Sequence, residues 1–231
     1  TLNVVAINGL TVRSMPSVKG DNLAILKTQE KIIAKDTSNF HQQAGTIFGF
    51  NGHWILIQAR DSLTGYVFDA FLSTLPVAKS ITERKKTLPK NSFSYSGLLP
   101  GLLKDYAMKN FTKSSCVFEY SNRIDGESSH EMTVLKFKEG PVLMEHTYWE
   151  GTATELSFKN VRLSEIYYLV KQFFKDSNKD LLEINDVHLR NPKSYRDRRS
   201  CVGELKGNGC GVEVFKDSEN AYSIKFNFPC C

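Results

Sequence analysis

The reactive side chains of this sequence are its five cysteines and five histidines, and their spacing decides which chemistry is open to them. A thiol nucleophile of the peptidase kind needs its cysteine at a helix N-terminus, which favours the thiolate, and a histidine on a neighbouring strand. Cys116 is followed instead by VFEYS, an alternating strand pattern. His130 and His146 are the partners that an antiparallel meander would bring towards it. His146, however, shares one strand face with Met144 and Tyr148 in VLMEHTYW and reads as a hydrogen-bonded structural histidine. The remaining histidines, His41, His53 and His188, complete no His-Glu-x-x-His or His-x-His pair, so no metal and no cofactor is expected. Glu145, Glu150 and Glu155 are spread over strand edges and turns, where a lytic carboxylate pair would depend on a contact made by folding alone. GNGCG, residues 207–211, has no helix after it, and a phosphate-cradling loop requires one.

Four of the cysteines, Cys201, Cys210, Cys230 and Cys231, fall near the end of the sequence. Cysteines clustered on short β segments suit disulfides in an oxidising compartment, and the odd total leaves one thiol over or one intermolecular bond. Cys201 and Cys210 bracket VGELKGNG, whose Gly207, Asn208 and Gly209 can turn a hairpin and bring the two sulfurs together, making them the candidate disulfide. Zinc is the competing reading, but no Cys-x-x-Cys pair occurs, and adjacent Cys230 and Cys231 point to opposite faces of any strand.

These groups have to be positioned by a chain of ordinary globular composition, 41% hydrophobic and 24% charged over 231 residues. No apolar run approaches the roughly 20 residues that a membrane-crossing helix needs. Thr1 opens directly into LNVVAI, and the expectation is that any export signal has been removed or never existed. The net charge of +5 is modest, and the strongest basic cluster, LRNPKSYRDRRS at residues 189–200, is broken by Asp197 and offers Tyr195 as its one aromatic; nucleic acid is not an expected partner.

The chain reads as mostly β in two domains, residues 1–76 and 93–231, joined by a Lys-, Ser- and Thr-rich linker at residues 77–92. In the first, LNVVAI, LTVRS, LAILK, KIIAKD, HWILIQ and TGYVFD are short strands separated by frequent turns, which predicts a small barrel. Residues 37–52 are long for a hairpin loop and carry Phe40, Phe48 and Phe50; they are expected to fold onto the barrel or to belong to its binding face. The second domain reads as α+β. GLLPGLLKDYAMKNF offers a helix with Leu99, Leu102, Leu103 and Tyr106 on one stripe and Pro100 in its first turn. CVFEYS, EMTVLKFK, VLMEHTYW and TATELSFKN follow as a meander with turns at Asp125-Gly126, Glu139-Gly140 and Glu150-Gly151. A helix over SEIYYLVKQFFK, capped by Ser164 and apolar at Leu163, Ile166, Tyr167, Val170, Phe173 and Phe174, then precedes a hairpin of GVEVFK and AYSIKFNF around DSEN.

The order Leu10-Thr11-Val12-Arg13-Ser14-Met15-Pro16-Ser17, then LKTQEKIIAKD, then Gly52-His53-Trp54-Ile55-Leu56-Ile57, then Thr64-Gly65-Tyr66-Val67 with Phe71-Leu72 behind it resembles a bacterial Src-homology-3-like (SH3-like) domain. The resemblance covers about a third of the chain and departs from the family pattern at Met15, at Tyr66 and in residues 37–52. It implies a small β-barrel acting as a binding module on an exported protein, periplasmic, surface-bound or secreted. Cell-wall peptide or an envelope protein would be its partner. Trp54, Tyr66 and Phe68 are then candidate aromatic platforms, with Arg13 or Asp69 as charged orienters. The alternative for Trp54 and Phe68 is that they fill the core of a barrel with little else to bury. Because such modules often accompany cell-wall hydrolases of the cysteine-peptidase type, the competing function places a catalytic site in the second domain, on Cys116 with His146 or His130.

Overall fold

A computed structural model of the chain describes residues 1–6, 8–35, 44–80, 83–84, 95–122, 129–148, 151–173, 183–184, 201–204 and 211–229. The protein is mostly β, with two antiparallel sheets and few helices. It divides into two compact units, Thr1–Val77 with Tyr167–Leu169, and Ala78–Ile166 with Val170–Cys231. No described helix is long and apolar enough to cross a membrane.

The first unit is built from β1 (Leu2–Val4), β2 (Leu10–Arg13), β3 (Asn22–Leu26), β4 (Lys31–Ala34), β5 (Ala44–Ile47), β6 (Phe50–Gln58), β7 (Thr64–Phe68) and β8 (Leu72–Ser73). Period-two alternation sets its core. Leu10 and Val12 of β2 are buried while Thr11 and Arg13 are half-buried. Ile55 and Ile57 of β6 face Val67 and Gly65 of β7 on the buried side. The strands run in the order β3-β2-β7-β6-β4-β1-β8, with β5 added to β6. A small barrel is expected; among the described residues no ladder joins β3 to β8, so strand pairing does not close one there. Closure needs continuous register around the ring. Here β2 meets β7 through the single bridge Arg13–Tyr66, and β8 offers only two residues.

The described part of residues 37–52 is not a loop. β5 turns through Phe48 and Gly49, whose φ of 50° and 80° are both positive, and returns as the first residues of β6, with Ile47 opposite Phe50. Two left-handed residues between paired strands are the mark of a tight hairpin whose twist matches that of the ladder.

The second unit holds β9 (Lys113–Asn122), β10 (Ser129–Phe137), β11 (Val142–Tyr148), β12 (Gly151–Lys159), β13 (Glu183–Ile184), β14 (Cys201–Glu204), β15 (Gly211–Ser218) and β16 (Ala221–Pro229). The order is β13-β14-β15-β16-β12-β11-β10-β9, so the meander β9 to β12 is flanked by the later hairpin. One sheet face carries Leu135, Leu143, Leu156, Phe158, Ile224 and Phe226, all buried. Its cover comes from α1 (Tyr95–Asn110), whose Leu102, Leu103, Tyr106 and Ala107 are buried, and from Phe173 of α2 (Leu163–Phe173). Phe173 meets Tyr106 and Phe226 at ring-centre separations of 5.6 and 5.4 Å, both edge to face.

Two local expectations change. α1 begins at Tyr95, which puts Pro100 past the first turn, where its missing N–H leaves a helical carbonyl without its usual donor. α2 is capped not by Ser164 but one residue before its start. The Glu165 carboxylate reaches back to accept the Arg162 N–H at 3.0 Å, and the Arg162 carbonyl receives the N–H groups of Glu165 and Ile166. A buried acid in the first turn suits the positive end of the helix, and this is the acidic half of a capping box.

Candidate functional site

Strand pairing in the first unit gathers most of the residues that the sequence singled out. Trp54 lies opposite Phe68, Leu56 opposite Tyr66, and Tyr66 opposite Arg13, so all five share the sheet face turned away from Ile55, Ile57 and Val67. Trp54, Leu56, Tyr66 and Arg13 are half-buried. Phe68 is 2% exposed and belongs to the packing, as the core alternative for it holds.

The two charged candidates are occupied by local structure. The Arg13 guanidinium donates through Nη1 to the Gly20 carbonyl at 2.7 Å, bracing the loop of residues 14–21. Ser14 and Asp21 close the same loop, each N–H reaching the other residue. Asp69 is buried, and its Oδ1 accepts the His53 backbone N–H at 2.7 Å. The neighbouring Gly52 is required by that arrangement, because a Cβ there would lie 2.5 Å from Asp69 Oδ1 and 3.0 Å from the Phe68 ring. The structure thus makes Asp69 a brace between the start of β6 and the end of β7 and keeps its carboxylate off the surface.

Ring contacts extend the face into a row. Trp54 stands edge-on to Phe68 at 5.7 Å, Phe68 meets Phe71 at 6.0 Å, and Phe71 meets Phe48 at 6.2 Å. The middle of the row is buried and its ends are accessible, Trp54 on the sheet and Phe48, 80% exposed, at the hairpin tip. Phe48 belongs to the segment that the sequence offered as part of the binding face, but its place in a tight turn was not expected. An aromatic held at positive φ in a tight turn is costly, and the usual occupant of its position is Asn or Asp. The signal lay in TIFGFNG, where Phe-Gly stands in place of Asn-Gly between two alternating runs.

The catalytic alternative loses its geometry in the second unit. Cys116 lies opposite Leu135, which faces the helices, whereas His146 lies opposite Met132, one residue out of phase on the same ladder. His130 has the parity of Met132. The thiol is therefore on one face of the sheet and both imidazoles on the other, and the expected nucleophile and base do not meet. The two histidines do meet each other, stacked at 5.2 Å with planes 6° apart and with His130 Nε2 and His146 Nδ1 at 3.0 Å. One ring donates and the other accepts, which suits neutral tautomers. Burial, and then the charges of His130 and Lys225, hold His146 below the usual imidazole range. No three His, Cys, Asp or Glu side chains gather into a metal-binding group among the described residues. The candidate disulfide lies outside the described residues: Cys201 opens β14 with its side chain undescribed, and Cys210 falls outside altogether.

Compared with known proteins, the chain matches no family model, no curated protein and no solved structure.

Proposed function

We propose that this chain is a non-enzymatic binding protein of the bacterial envelope or secreted space, and that the outer face of its first sheet takes cell-wall peptide or a protein partner. The observation that carries the reading is the row from Trp54 to Phe48, a line of aromatic rings accessible at both ends and buried in between. Tyr66 and Leu56 lie beside its sheet end. An aromatic strip anchored from beneath offers contact area with little entropy to lose on binding, and Tyr66 adds a polar tip for orienting a peptide. The exported setting and the cell-wall ligand rest on the resemblance of residues 10–72 to SH3-like domains.

Titrating the full chain with purified peptidoglycan stem peptides tests the reading. Saturable binding that is lost in Trp54→Ala and Tyr66→Ala supports it. Absence of binding removes the cell-wall ligand, and binding that ignores both substitutions removes the face.

A further inference from the structure

The face of the second sheet turned away from the helices carries two methionines beside the histidine pair. Met132 of β10 lies directly opposite His146 of β11, and Met144 precedes His146 by two residues on its own strand. His130 precedes Met132 by two on β10, so all four side chains leave the sheet on the same side. Directly opposed residues keep their Cβ atoms about 5 Å apart. All four residues are half-buried.

The contact between the histidines fixes which ring nitrogen is turned towards the methionines. His146 presents Nδ1 to His130 Nε2 at 3.0 Å. The two nitrogens of an imidazole point in widely different directions, so His146 Nε2 is directed away from His130. In the β10–β11 ladder His130 lies to one side of the Met132–His146 pair and Met144 to the other, with Met144 opposite Val134. Nε2 is therefore turned towards the end of the face that holds Met144, with Met132 abreast of it.

We propose that His146 Nε2 and the thioether sulfurs of Met132 and Met144 form a three-donor site for a soft monovalent cation of the Cu(I) kind, with His130 as the residue that holds the His146 ring in place.

The donor set selects the ion. Thioether sulfur is a soft, uncharged ligand that suits Cu(I), and imidazole suits copper as well, whereas magnesium and calcium want oxygen. Structural zinc takes thiolate, imidazole and carboxylate, and two of these three donors are none of those. Methionine is unbranched with three rotatable bonds, so sulfurs from neighbouring positions can converge on one point. A metal-bound imidazole donates its other N–H to an acceptor, which sets its tautomer and orientation. Here the His146 Nδ1–H is donated to His130 Nε2, so the observed contact is retained in the bound form and no proton leaves. Carboxylates stand on both sides, Glu119 of β9 opposite Met132 and Glu155 of β12 opposite Met144, and they favour a cation on this face. Lys225, opposite Glu155 on β16, offsets part of that charge.

The probe is Ag(I), which shares the charge and softness of Cu(I), added as its nitrate to the full chain after its thiols have been alkylated with iodoacetamide. The sequence holds four methionines, so methyl-labelled methionine gives the site its own controls. The methyl resonances of Met132 and Met144 are expected to move together and to saturate at one Ag(I) per chain, while those of the exposed Met15 and Met108 stay in place. Nitrogen spectra of the imidazoles are expected to show His146 bound through Nε2 with its proton kept on Nδ1. Met132→Leu and Met144→Leu each remove a donor at nearly constant volume and are expected to weaken binding by more than about tenfold. His130→Leu, which removes only the acceptor, is expected to weaken it by about tenfold, with both methionines still moving at saturation, and His130→Gln, which keeps an acceptor, to restore it to within about threefold. Methionine resonances that stay still up to on the order of 100 μM Ag(I) overturn the proposal, since that limit leaves no specific site. So do four methionines that shift alike, leucine variants that bind as the parent does, or ligation through Nδ1. Zn(II) moving the same two methyl groups as tightly as Ag(I) overturns the assignment to a soft ion.

Discussion

In the first unit, strands of two to nine residues are joined by single bridges and short ladders, and side chains finish what the backbone leaves open. Arg13 holds a loop, Asp69 ties β6 to β7, and Phe68 fills the core. In the second unit, β9 to β12 run for seven to ten residues in unbroken register over most of their length. Their ladders carry side-chain ties as well, the Ser114 hydroxyl to the Lys136 carbonyl and Ser157 to Ser223, but the side chains on the outer strand stay exposed. The contrast teaches that a charged or aromatic residue beside a short strand is first a structural resource. On a long strand the same residue is available to something outside the fold.

The largest effect that sharpens this contrast lies in the second core. Phe173→Ala removes a fully buried ring between Tyr106 and Phe226 and is expected to cost about 3–5 kcal/mol. Amide hydrogen exchange in β12 and β16 reads the loss, and protection left within a factor of ten of the parent would break the claim that the helices stabilise this sheet. Asp69→Ala leaves the His53 N–H without its acceptor in a buried corner, for a loss of about 2 kcal/mol. Tyr66→Ala, on the open face, is expected to cost under about 1 kcal/mol while abolishing ligand binding. The reverse ranking in urea unfolding would make Tyr66 the brace and Asp69 the candidate contact. Glu165→Ala removes the side-chain cap of α2 for about 1 kcal/mol, seen as faster exchange in the first turn of that helix.

The smallest effect concerns acid. Burial favours neutral His146 in the fold and holds its pKa below the unfolded value. Its contribution to stability is therefore complete above the ordinary histidine range and is lost as pH falls through the lowered folded value. Thermal midpoints at about pH 7.5 and about pH 5 should differ more in the parent than in His146→Gln. Equal differences would remove the histidine pair from the acid response.

The strand pattern, the two helical stripes and the hairpin around DSEN were legible in the sequence, because period-two and period-3.6 burial are local properties. Trp54, Tyr66 and Arg13 were legible as neighbours only through the family resemblance, and pairing then placed them on one face. The Phe48 turn was hidden, since Phe-Gly does not announce left-handed backbone as Asn-Gly does. Ser164 was mistaken for a cap because a hydroxyl before an apolar run is the usual signature, whereas the helix starts one residue earlier, at Leu163, and the Glu165 carboxylate accepts the Arg162 N–H.

By itself, then, the sequence determined which segments are strands or helices and which of their faces turn inward, since burial of alternate side chains depends on nearest neighbours along the chain. Tertiary structure alone decided that no ladder closes the first sheet among the described residues, that Arg13 and Asp69 hydrogen-bond to the backbone, and that Cys116 lies across the sheet from His130 and His146. Those outcomes depend on register. A shift of one residue between strands distant in sequence reverses every face, and no local pattern carries that information.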